Sequence, residues 1–108
     1  MTDPVKAIAR RIGHRCRRFA VTEIRSERST PWRSLLFDGG RHHIELSLRG
    51  DGVDAALTAL EDEIAAAGFA ISGHFIAELQ IAEVIRSGCD ALVMLDALTI
   101  EACEPEGA

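Results

Sequence analysis

The chain has 108 residues, enough for one domain that buries about 60–70% of its extended surface without help from disulfides or a metal. It is 47% hydrophobic and 27% charged, ordinary values for a globular protein, yet it has only four Phe, one Trp and no Tyr, so its core must be aliphatic. A net charge of −5 and few aromatics argue against a dedicated nucleic-acid binder, and no run approaches the ~18 apolar residues of a membrane span.

The first predicted element is a helix opening at Asp3-Pro4, an N-cap followed by a residue suited to the first helical position. Val5, Ile8, Ile12, Cys16 and Phe19 recur at spacings of 3, 4, 4 and 3 and form one apolar stripe. Gly13 lies inside this helix and weakens it by about 1 kcal/mol relative to Ala. Residues 19–28, "FAVTEIRSER", are expected to form a strand that Pro31 punctuates. "WRSLLF" and "HHIELSLR" follow, separated by "DGGR", and Gly39-Gly40 is a strong hairpin-turn signal. That turn would pair Phe37 with His42 and Leu35 with Ile44. In the second strand His42, Ile44, Leu46 and Leu48 point one way, and His43, Glu45, Ser47 and Arg49 the other.

Asp51 is expected to cap a second helix, with Asp54 favourable in its first turn. Val53, Ala56, Leu57, Leu60, Ile64 and Ala67 form its apolar stripe, and Gly68 suits its end. Residues 73–87 could be helix or strand; a hairpin turning at Gly88-Cys89 sorts the side chains better. In that register Ser87 faces Asp90, Ile85 faces Leu92, Leu79 faces Leu98, Ala77 faces Ile100 and Phe75 faces Ala102. Ile81 opposite Asp96 and Glu83 opposite Met94 are its two misfits. Residues 104–108 are expected to fray. The fold expected is α+β: a two-layer sandwich, an antiparallel sheet of four or five strands with two helices on one face, in the order α-β-β-β-α-β-β.

Charge is divided along the chain. Residues 1–49 hold eleven Lys/Arg against five acids, a net of +6; residues 50–108 hold Arg86 alone against twelve acids, a net of −11. The basic excess peaks in "RRIGHRCRRF", residues 10–19, where Arg10, Arg11, His14, Arg15, Arg17 and Arg18 sit beside or opposite the apolar stripe. Arginine suits bidentate pairing with phosphate or carboxylate, so Arg10, Arg11, His14, Arg17 and Arg18 are candidate anion-binding residues. The competing explanation is a wet helix face matched by the protein's own late acids.

A second candidate is the polar strand face of His74, Glu78, Glu101 and Cys103. In the expected register His74 faces Cys103 and Glu78 faces Thr99. On a strand His74 and Glu78 are roughly 13 Å apart, too far to share a metal. His42 and His43 point to opposite faces and form no joint ligand pair. There is no phosphate loop, nucleophile elbow or zinc-type Cys/His spacing, so no cofactor, metal site or catalytic set is expected. Cys16, Cys89 and Cys103 form no C-x-x-C pair, and "MTDPVKAIARR" lacks the apolar core of a secretory signal. Free thiols in a reducing cytoplasm are therefore expected, with no membrane partner.

The leading functional expectation is a small cytoplasmic binding or assembly module, not an enzyme, that self-associates as a dimer. Exposed sheet edges and the opposite charges of the two halves motivate it. The alternative is an anion- or nucleic-acid-binding regulator using the basic helix. The third is a small enzyme or metal site on the His74/Glu78/Cys103 strand face, which requires those groups to converge in a pocket.

Overall fold

A computed structural model describes residues 3–66, 71 and 73–101. The element order is α1 (Pro4–Cys16), β1 (Val21–Arg33), β2 (Asp38–Arg49), α2 (Val53–Ala66), β3 (His74–Ser87) and β4 (Asp90–Glu101). The four strands make one antiparallel sheet in the order β1-β2-β4-β3. The fold is α+β, as the periodicities predict, with four strands in the order α-β-β-α-β-β. The long axis measures 54 Å, close to the ~46 Å that a 14-residue strand such as β3 spans.

α1 begins as its sequence dictates. The Asp3 carboxylate accepts from the Val5 N–H at 3.2 Å, and Pro4 opens the helix. Val5, Ile8, Ile12 and Cys16 are buried. The helix stops at Cys16, so Phe19 falls in the following turn and is 41% exposed instead of closing the stripe. α2 begins at Val53, with the Gly52 carbonyl accepting from the Ala56 N–H. The cap is therefore Gly52, not Asp51. A Cβ at Gly52 would lie 1.9 Å from the Phe19 carbonyl oxygen, so the close approach of the two segments decides the choice. Val53, Ala56 and Leu60 are buried as expected; Ala67 and Gly68 lie outside the described residues.

The first hairpin differs most from expectation. β1 runs through Pro31 and takes in only Trp32 and Arg33 of the strand expected after it. Pro31 is tolerated because β1 is an edge strand, where a missing N–H need not cost a ladder bond. The chain turns at Ser34–Phe37, where the Ser34 N–H bonds the Phe37 carbonyl at 2.8 Å and the Ser34 hydroxyl accepts from the Phe37 N–H at 3.1 Å. Gly39 and Gly40 lie within β2, opposite Trp32 and Pro31. Their small size serves packing: a Cβ at Gly39 would lie 2.0 Å from the Thr99 carbonyl oxygen, and one at Gly40 would lie 2.7 Å from the His42 ring. Neither Phe37 with His42 nor Leu35 with Ile44 pairs.

The second hairpin turns at Gly88-Cys89, as predicted, with Gly88 at φ 60°. Ser87 faces Asp90, Ile85 faces Leu92 and Glu83 faces Met94. Irregularities between Ile81 and Glu83 and between Ile76 and Glu78 then shift the register twice. The first moves Ile81 from opposite Asp96 to opposite Leu95, and so removes a misfit of the ideal ladder. After both, Leu79 faces Ala97, Phe75 faces Ile100 and His74 faces Glu101.

The core lies between the sheet and the helices. The central strands β2 and β4 alternate strictly: Ile44, Leu46 and Leu48 pair with Leu95, Val93 and Ala91 on the buried face. α1 packs on β1 and β2 and against α2. The opposite face carries His43, Glu45, Met94, Asp96 and Leu98 and is covered by no described element.

Candidate functional site

The basic helix lies open. Arg10, Arg11, His14, Arg17 and Arg18 are all exposed. Arg11 Nε donates to Glu63 Oε1 of α2 at 2.6 Å, so a late acid does meet the early bases. Arg17 folds back over Gly13: a Cβ there would lie 3.0 Å from its Nη1. Lys6 pairs with Glu27 of β1 at 3.8 Å. Arg17 and Arg18 follow the last turn of α1, where positive charge is favoured by the helix dipole.

Of the polar strand residues, His74 and Glu101 come together and Glu78 is set apart. His74 lies directly opposite Glu101, while Glu78 lies opposite Leu98. Leu98 and Glu101 are three apart on β4, so His74 and Glu78 project to opposite faces. The bulge between Ile76 and Glu78 causes that separation and replaces the expected Glu78–Thr99 pair. Cys103 lies outside the described residues, so the expected His74–Cys103 pair does too. Among the described residues no three His, Cys, Asp or Glu side chains are arranged to hold a metal.

His42 and His43 divide as strand geometry requires. His43 is on the open face, 2.9 Å from Asp96 and 3.7 Å from Glu45. His42 is buried on the helix side and bonded at both nitrogens: Nδ1 to Ser29 Oγ at 2.8 Å and Nε2 to Thr99 Oγ1 at 2.7 Å. Burial lowers its pKa; Asp3 opposes that shift and His74 adds to it. Thr99 is fully buried, and its hydroxyl finds its partner in Nε2. In the neutral ring one nitrogen donates and the other accepts, so the imidazole bridges the two hydroxyls. The cluster fastens β1 to β2 and β4 beside a cavity of about 380 Å³, also lined by Asp3, His74 and Glu101. Sequence alone missed this cluster because its partners are 13 and 57 residues away.

Sequence reading also missed the exposed apolar ground. The hairpin turn presents Leu35, Leu36 and Phe37, exposed by 103%, 81% and 51%. On β3, Phe75, Val84 and Ile85 are exposed by 65%, 39% and 46%. A cavity of about 600 Å³ lies between the turn and Phe75, Ala77 and Ile100. The strand assigned to "WRSLLF" hid the first group. The assumption of a continuous ladder hid the second.

No helix among the described residues is long and apolar enough to cross a membrane. Comparison with protein families, curated proteins and solved structures finds no match for the chain.

Proposed function

We propose that the chain is a non-enzymatic binding and assembly module that self-associates as a dimer through its free sheet edge, β3, in the reducing cytoplasm. One observation carries the reading. β3 is 14 residues long, pairs with no second strand on its outer side among the described residues beyond the Ile71–His74 bridge, and exposes Phe75, Val84 and Ile85. A long edge with exposed apolar side chains is a template for another strand. The free thiols Cys16 and Cys89 support the compartment.

Part of the opposite charge on the two halves is matched within the chain by Arg11–Glu63. Two copies carrying −5 each repel, so added salt strengthens this dimer instead of dissolving it. Sedimentation velocity at micromolar concentration, at low and high salt, tests the reading. A dimer that persists in high salt and is lost in Ile85→Lys supports it; a monomer in both salts refutes it.

The anion-binding alternative draws on the exposure of Arg10, His14 and Arg18. It predicts heparin or nucleic-acid binding with a steep salt slope, removed when Arg10, Arg11, Arg17 and Arg18 become Ala.

A further inference from the structure

Resting on the self-association reading, the pairing of β3 specifies how a second copy would fit. Residues opposite one another on β3 and β4 share a face, so the ladder sorts the side chains of β3. Ile76, Leu79, Ile81 and Val84 lie on the helix side, opposite Thr99, Ala97, Leu95 and Val93. Phe75, Glu78, Gln80, Glu83 and Ile85 lie on the open side, opposite Ile100, Leu98, Asp96, Met94 and Leu92. The register shifts leave Ala77 and Ala82 unpaired with β4, one on either flank of the strand's middle. The pattern of faces therefore reads alike from either end.

We infer that two copies join β3 to β3, antiparallel and centred on Gln80, to make one continuous eight-stranded sheet. In that register Leu79 faces the second copy's Ile81, Ile76 faces Val84 and Phe75 faces Ile85. Each of these pairs keeps its face, and each exposed apolar side chain of β3 gains an apolar neighbour. The bulged Ala82 and Ala77 fall opposite Glu78 and Glu83, so no glutamate meets a glutamate. Moving the centre to between Gln80 and Ile81 sets Glu78 directly against Glu83 in both halves, a repulsive arrangement. Moving it to between Leu79 and Gln80 puts those two residues opposite each other, which mixes the faces. Centring on Leu79 sets Phe75 against Glu83.

The other edge is unsuited to the same use. β1 carries Pro31, which has no N–H to offer, and Glu23, Arg25, Glu27, Arg28 and Arg33 along its length. The second copy therefore meets β3 with β3, which closes the assembly at two chains and leaves both β1 edges outside.

The test uses the full chain with Cys89→Ser and Cys103→Ser, which leaves only the buried Cys16 thiol. Single cysteines are then introduced as Gln80→Cys, Glu78→Cys and Glu83→Cys and exposed to oxidised glutathione. The proposal expects a disulfide-linked dimer to form at least tenfold faster at position 80 than at 78 or 83. A nitroxide on the same cysteines gives a second reading that needs no disulfide geometry: dipolar broadening should be strongest at 80. Coupling stronger at 78 or 83, with sedimentation still reporting a dimer, overturns the register and spares self-association. A monomer by sedimentation overturns both.

Discussion

The two edges of the sheet are built oppositely. β1 is packed on one face by α1, tied by Ser29 to a buried histidine, and lined with charge and a proline. β3 is held almost wholly by β4, and its last six residues are all exposed. One edge is closed to further pairing by its chemistry, and the other is left able to accept a strand. The central pair β2–β4 supports both, so changes there should damage the two edges together, while changes at either edge should separate them.

The largest effect is expected at that central pair. Gly39→Val puts a side chain into the Thr99 carbonyl oxygen, where even a Cβ has only 2.0 Å. Forcing β2 from β4 should cost about 3 kcal/mol or more. Chemical denaturation should show a strongly lowered midpoint or no cooperative transition. Next, the edges should part. Ile8→Ala, fully buried in α1, should cost about 2–5 kcal/mol. Ile85→Lys on exposed β3 should change folding stability by no more than about 0.5 kcal/mol in a monomer while removing the dimer. Equal losses in urea unfolding would contradict the difference drawn between the edges.

The β1 fastening should also respond to acid. His42 is held below its ordinary value of 6.5, so the unfolded chain takes up a proton that the folded chain resists. Its contribution is complete above pH 6.5 and falls as pH drops from 6.5 toward the lowered folded value. Thermal melts between pH 7.5 and 5.5 should show that loss, and His42→Gln should reduce it. The smallest effect belongs to Arg11 and Glu63, an ion pair at the surface. A double-mutant cycle should give a coupling of about 0.2–1 kcal/mol that shrinks with salt.

Much of this fold was legible in the residues because its main signals are local. Asp3-Pro4, the spacing of Val5, Ile8, Ile12 and Cys16, the alternation of β2 and the turn at Gly88-Cys89 each depend on neighbours in sequence. The departures come from contacts between distant segments. Gly39-Gly40 has turn chemistry, yet Thr99 and His42 claim the space its side chains would fill, and the turn moves to Ser34. The bulges in β3 match Ile81 to Leu95, a choice visible only once β4 is in place. Of the candidate sites, the face of the basic helix was legible from its periodicity. The pairing of Arg11 with Glu63 was not, because it spans 52 residues. The polar strand face was legible in part, since His74 and Glu101 share a face, but one bulge sends Glu78 to the other side.

Residue-resolved amide hydrogen exchange at increasing protein concentration tests the central claim most directly. Alternate amides of β3 point away from β4, and a second strand would protect them. Their protection should rise with concentration, while the outward amides of β1 exchange at an unchanged rate. Equal, concentration-independent exchange at both edges would contradict β3 as the assembly edge.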